Sequence, residues 1–350
     1  VPRLAARRLV AAALLAAGAC STADAPEPRN AFVPVLESDF PDPVVVESGG
    51  AFVAYSTNSA GVNLPLSESS DLVSWRTVED PRRPGRPLDA MPVLATWVVE
   101  GRTWAPEVMK VGDRWLLYYT AHDRATDLQC VGVAAAGGPR GPFVDRSTRP
   151  LICQTDLGGT IDAHPFRDAD GQLYLYYKND GNNPRVLKPS QIWVRRLSPD
   201  GQRPVGDAVP LVRNDRHWEW RVVEAPSMVR APNGYVLFFS ANHFGWEADQ
   251  RFSNYAVGYA WCEGPMGPCT DAPENPILAS RFDRETGCLS GPGHPTIFKA
   301  SGRDYIAFHA WAATPDCRKA ADERYLYVAP LRWTDGKPRV EPSLSPERNR

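Results

Sequence analysis

The sequence predicts an all-β chain folded as a five-bladed β-propeller. Three features point there. A proline-led hairpin pattern occurs five times at near-constant spacing. Aromatic and β-branched runs alternate with glycine-containing turns throughout. Amphipathic helical spacing is scarce, and 34 prolines among 350 residues argue against long helices.

The five hairpins are "FPDPVVVESGGAFVAYST", "TWAPEVMKVGDRWLLYYTA", "IDAHPFRDADGQLYLYYKN", "VEAPSMVRAPNGYVLFFSA" and "PGHPTIFKASGRDYIAFHA". Their leading prolines are Pro43, Pro106, Pro165, Pro226 and Pro295. The turns "SGGA", "VGDR", "DADGQ", "APNGY" and "ASGRD" carry residues that tolerate positive φ. A second strand pair follows in most units, for example "SQIWVRRLSPDGQRPVG", so four strands per unit are expected. Radial packing of such blades leaves few exposed sheet edges. A repeat of about 60 residues is far too long for a β-helix coil. A β-sandwich would not repeat one hairpin five times in register.

The ends read differently. Residues 1–20, "VPRLAARRLVAAALLAAGAC", have basic residues, a short apolar run and small residues before Cys20. That is an export signal, with Cys20 in a lipoprotein-like box, although Ala17 stands where Leu is usual. The apolar run is too short to span a bilayer. Residues 21–36 read as a flexible tether, 37–342 as the propeller and 343–350 as a loose tail. Removing Cys20 leaves six cysteines, an even number suited to disulfides in an exported chain. Fifteen pairings are open; neighbour pairing, 130–153, 262–269 and 288–317, is the simplest. With 39 basic and 41 acidic side chains, no cationic surplus exists for nucleic acid. Zinc is disfavoured, because no CxxC pair is present.

In a propeller the first strand of each blade lines the axis, and proline is tolerated at a strand start. The residues just ahead of the five prolines should therefore ring the mouth of the axial tunnel. They include Asp42, Trp104, Asp162, His164, Glu224 and His294. Equivalent places carry different groups in different blades, which is what chemistry requires and a purely structural position does not. Singly, Asp42 reads as a turn starter and His164 as a packing histidine. Glu224, between "VV" and "AP", is costly unless paired.

The motifs "FPDP", "TWAPEV", "GTIDAHPF", "VVEAPSM" and "GPGHPTIF", in five ordered blades, resemble glycoside hydrolase family 43 from about residue 38 to 340. Ala225 stands where relatives commonly have Gly. The resemblance implies an inverting glycosidase with Asp42 as general base, Glu224 as general acid, and Asp162 orienting Glu224 and raising its pKa. It also implies that His294 is an axial histidine near a calcium ion held largely by waters; a neutral hydrogen-bonding His is the other reading. No organic cofactor is expected. Trp104, His164, Phe244 and Arg324 are the expected sugar contacts, with Trp218 and Trp220 beside the mouth. "GVAAAGGPRGPF" and "YYKNDGN" resemble arabinan-active members, implying α-L-arabinofuranosides, with β-xylosides next. A non-catalytic carbohydrate-binding propeller and a calcium-stabilised protein scaffold are the competing classes. The expected partner is an oligo- or polysaccharide. The chain is expected to be a monomer that meets the membrane only through a lipid anchor.

Overall fold

The computed structural model of the chain describes Val1 and residues 32–284 and 286–344. The signal segment, Cys20 and most of the expected tether and tail lie outside the described residues. Blade 1 contains β1 (Val44–Ser48), β2 (Ala51–Tyr55), β3 (Leu66–Ser69) and β4 (Arg76–Thr77). Blade 2 contains β5 (Val98–Val111), β6 (Arg114–Asp123) and β7 (Leu128–Ala136). Blade 3 is β8 (Thr160–Arg167), β9 (Leu173–Asn179), β10 (Gln191–Leu197) and β11 (Pro204–Arg213). Blade 4 is β12 (Val223–Ala231), β13 (Gly234–Ala241), β14 (Ala256–Cys262) and β15 (Cys269–Asp271). After a small hairpin, β16 (Arg281–Asp283) and β17 (Gly287–Leu289), comes blade 5: β18 (Gly293–Ala300), β19 (Arg303–Ala313), β20 (Lys319–Thr334) and β21 (Lys337–Val340).

All pairings within the blades are antiparallel, as hairpin connections require. The first turn shows why the glycines are there: Ser48 pairs with Ala51, and Gly49 and Gly50 both take positive φ, as a two-residue primed turn demands.

The aromatic runs fill the spaces between blades. Side chains alternate across a strand, so the second strand of each blade feeds two cores at once. On β6, Leu117 and Tyr119 pack with Val53 and Tyr55 of blade 1. Leu116 and Tyr118 of the same strand pack with Leu175 and Tyr177 of blade 3. β13 does the same, with Leu237 and Phe239 toward blade 3 and Val236 and Phe238 toward blade 5. This explains why "RWLLYYTA" and "YVLFFSA" are apolar on both faces. Each such side chain contributes about 1.5–3 kcal/mol of burial.

Residues 32–36 close the ring. The Val35 amide donates to the Leu326 carbonyl at 2.8 Å, next to the Val328 and Pro330 carbonyls that accept from Leu344 and Glu341. Residues 35–36 thus continue the outer edge of blade 5 along β20. Phe32 joins the core between blades 4 and 5 and meets Phe308 edge-on at 5.9 Å. Three expectations are corrected here. Residues 32–36 are folded and not part of a tether, because backbone pairing and Phe32 burial hold them. Ser343 and Leu344 likewise belong to the fold through the Leu344–Val328 hydrogen bond. Blade 2 has three strands, its fourth reduced to two isolated bridges, Ala135 with Val144 and Val131 with Ile152. The neighbour pairing of cysteines holds: 130–153, 262–269 and 288–317 are disulfides. No helix among the described residues is long and apolar enough to cross a membrane.

Candidate active site

The chain kinks where each first strand meets the axis. One residue in each blade takes left-handed backbone there: Asp42, Ala105, Asp162, Ala225 and His294, with φ between 46 and 56°. In β5, β8, β12 and β18 the strand register shifts at the same point. The strain is shared by all five blades, two of which carry only alanine there, so it belongs to the fold and not to catalysis as such.

This pattern corrects the alignment of blade 3. Counted back from proline, His164 is the counterpart of Asp42 and His294. The backbone makes Asp162 that counterpart, because the bulge of β8 falls on Asp162–Ala163, so the left-handed residue stands three places ahead of proline in this blade and one place ahead in the others. His164 instead corresponds to Glu107 and Thr296, two residues further along the strands. There its Nδ1 lies 3.3 Å from Glu107 Oε1, which also accepts from Thr296 at 3.2 Å.

A second ring supports the first. The amide of each left-handed residue donates to a side chain: Asp42 to His309 Nδ1 at 3.0 Å, Ala105 to Thr57 at 2.9 Å, Asp162 to Thr120 at 3.1 Å, and His294 to Ser240 at 2.8 Å. Those acceptors follow or lie on the second strand of the preceding blade. The Ala225 amide is the exception. It donates to Asp162 Oδ2 at 3.0 Å. The second-strand residue at that junction is Lys178, paired with Ile161, and ammonium cannot accept.

The three expected carboxylates converge on one cleft of 1080 Å³. Asp42 Oδ2 accepts from Thr57 at 2.6 Å, and Oδ1 accepts from Arg324 at 3.1 Å. Burial would raise the Asp42 pKa, but the Arg324 guanidinium, with His294 and the Thr57 hydroxyl, outweighs it and holds the carboxyl well below the usual range. His309 is kept neutral by burial and by Arg324, which suits its Nδ1 for accepting the Asp42 amide. Asp162 is pushed up to about 7, chiefly by burial. His294 and Lys178 oppose that rise; the charges of Glu224 and Asp42 add to it. Glu224 is clamped at both oxygens, Oε1 by the Tyr255 hydroxyl at 2.8 Å and Oε2 by Lys178 Nζ at 2.9 Å.

Trp104, Trp220, Phe244 and Arg324 line the cleft with them. Trp220 and Phe244 are 55% and 46% exposed, a large amount for such rings. The loop between β9 and β10 forms another wall, and Arg185 on it is ion-paired across to Asp127 of blade 2. Two expectations change. His164 does not line the cleft, because the bulge carries it past the mouth. Trp218 packs against Phe239 in the core between blades 3 and 4, with its ring over Gly258. Arg324 serves first as the partner of Asp42, with its guanidinium over the Phe244 ring. Lys178, Tyr255, His309 and Thr57 are participants that sequence reasoning missed. Lys178 left one signal, a lone cation inside the aromatic strand "LYLYYKN".

Calcium prefers six to eight oxygen ligands. His294 offers one nitrogen, and its Nδ1 is already 3.4 Å from Asp42 Oδ1. Among the described residues, the one close trio of acidic groups, Asp215, Glu219 and Asp271, does not include His294, and Arg216 pairs with two of its members. The residues around His294 therefore suit only an ion held through water.

A profile for glycosyl hydrolases family 43 matches residues 32–338. The chain is 22% identical to an extracellular exo-α-(1→5)-L-arabinofuranosidase of Cellvibrio japonicus, over 87% of this chain and 86% of that one. It is also 22% identical to an extracellular endo-α-(1→5)-L-arabinanase of Bacillus subtilis, over 77% of this chain, and spans 64% of that relative's length. The crystal structure of a thermostable family-43 glycoside hydrolase superposes with a TM-score of 0.74 at 27% identity, covering 88% of this chain and 95% of that one.

Proposed function

The chain belongs to the glycosyl hydrolases of family 43, and on that premise we propose that it cleaves α-L-arabinofuranosides with inversion, at the cleft that holds Asp42, Asp162 and Glu224. The observation that carries this reading is the meeting of three carboxylates from blades 1, 3 and 4 in one cleft, each in a different electrostatic setting. Inverting hydrolysis needs one carboxylate that stays ionised and one that delivers a proton, about 6.5–9.5 Å apart with water between. Asp42, held ionised by Arg324, takes the proton of the attacking water. Glu224 protonates the departing oxygen as the glycosidic bond breaks. Asp162 holds the backbone beside Glu224 through the Ala225 amide, and its own charge favours a proton on that pair. Trp104, Phe244 and Trp220 offer flat apolar faces to the sugar rings.

The arabinose preference is supported by the two relatives above, an exo-acting arabinofuranosidase and an endo-acting arabinanase. A calcium ion bound through water beside His294 would add positive charge near the axis, and no step is assigned to it. The extracellular relatives and the three disulfides support export, with Cys20 as the lipid-anchored residue. A panel of nitrophenyl glycosides tests the substrate. Release from the α-L-arabinofuranoside, lost on Asp42→Asn and Glu224→Gln with the fold intact, is expected. Release only from the β-xyloside would reassign the sugar. No release from any glycoside, with sugar binding retained, would make this a binding propeller.

A further inference from the structure

At four blade junctions the residue at one second-strand position is a hydrogen-bond acceptor: Thr57, Thr120, Ser240 and His309 each receive the left-handed amide of the next blade. At the remaining junction, between blades 3 and 4, that position holds Lys178. The fold's demand for an acceptor is met there by Asp162 instead. A lysine at this position does nothing for the backbone, and burying its charge is costly unless the charge is used. Its side chain is 0% exposed, and Nζ reaches Glu224 Oε2 at 2.9 Å and Asn182 Oδ1 at 2.6 Å, with Asp180 Oδ1 at 3.9 Å.

We infer that Lys178 is a positioning residue for the proton donor: with Tyr255 it fixes the Glu224 carboxyl, and its charge sets the pH above which the site loses the donated proton. The inference rests on the reading of Glu224 as the acid. The groups facing Glu224 divide into two sets. Lys178 from β9 and the Tyr255 hydroxyl from the segment before β14 favour the carboxylate. Asp162 from β8 and Asp180 from the loop after β9 favour the protonated form. An acid works best when its proton affinity is matched to the working pH. Lys178 opposes the two aspartates at that carboxyl. Asn182 lines the cleft and shares the same Nζ, so the wall loop and the donor are linked through one ammonium group.

The test compares kcat/KM against pH for the wild type and Lys178→Met, using nitrophenyl and dinitrophenyl glycosides of the sugar the enzyme turns over. The dinitrophenyl group leaves without needing a proton. For Lys178→Met, the alkaline limb with the nitrophenyl substrate is expected to move up by about one unit or more, the size of an opposite-charge effect at contact. kcat should fall severalfold with KM little changed, and the dinitrophenyl substrate should lose less. A folded Lys178→Met enzyme with an unmoved limb would show a merely structural ion pair and overturn the inference. Should that variant not fold, Asn182→Asp on the wall loop draws Nζ away from Glu224. It is expected to move the same limb upward by a smaller amount, and an unmoved limb again overturns the inference. Glu224→Gln separates this result from the reading beneath it. Equal losses on both leaving groups would remove Glu224 as the acid. Selective loss on the nitrophenyl substrate keeps the acid and leaves Lys178 alone to be judged.

Discussion

A Cβ built on Gly293 would stand 1.9 Å from Cε1 of Tyr255. The Tyr255 ring is fully buried, stacks on His309 at 5.9 Å with 11° between planes, and donates its hydroxyl to Glu224. The glycine of "GPGHP" is thus the space into which the clamp on Glu224 fits. Gly293→Ala is expected to displace Tyr255, lowering stability by roughly 1–3 kcal/mol as overpacking does. The kcat loss should exceed that of Tyr255→Phe, which keeps the ring in place. Thermal unfolding and kcat for the two variants check this. A Gly293→Ala enzyme with wild-type kcat would show that the ring's seat does not matter.

Arg324 holds Asp42 ionised, so removing it should weaken the base in acid. Arg324→Gln is expected to move the acid limb of kcat/KM upward by about one to three units. Loss of the guanidinium against Phe244 should also raise KM. An acid limb that stays put would mean that Thr57 and the histidines suffice.

Asp162 leaves a mark on stability as well as on rate. Its folded-state pKa, about 7, lies above the ordinary 3.8. Between those values the native state therefore holds a proton that the unfolded chain has released. The contribution is fully present below pH 4 and is lost as pH rises through 7. Asp162→Asn, which stays uncharged and can still accept from Ala225, is expected to gain stability relative to wild type across this window. The gain should level off above pH 7 at roughly 4 kcal/mol, at about 1.4 kcal/mol per unit. Urea unfolding at pH 4, 6 and 8 measures it. A difference independent of pH would contradict the raised pKa.

Trp104 and His164 were both expected to touch sugar, and the structure separates them. Trp104→Ala should raise KM severalfold with the fold intact, because its ring lines the cleft. His164→Gln should leave KM unchanged and lower stability, because it disturbs the pairing with Glu107. Steady-state kinetics beside thermal unfolding of each variant distinguish the two roles.

Much of this was legible in the chain itself. The hairpin repeat, the turn glycines and the doubly apolar second strands follow from local rules, since period-two patterning and primed turns are properties of neighbouring residues. Glu224 stood out because a carboxylate in an apolar strand start is costly unless paired, and Asp42 and Asp162 stood out with it because equivalent places in other blades carry different groups. The neighbour pairing of cysteines was available for a similar reason, each pair being joined by a short stretch of chain.

What the chain could not show was the pairing across blades. Proline served as the ruler for blade 3, but the bulge obeys backbone register, and the two differ by two residues there. The folding of residues 32–36 depends on β20, some 290 positions later, whose free edge is visible only once the ring has closed. Lys178 and Tyr255 read as ordinary members of apolar segments until the blades met. Strand periodicity is set by bonds between neighbours, so the propeller and its ring of acids were determined by the sequence alone. The charge that faces each acid comes from another blade, so which acid is held ionised, and which is clamped, was decided only by tertiary packing.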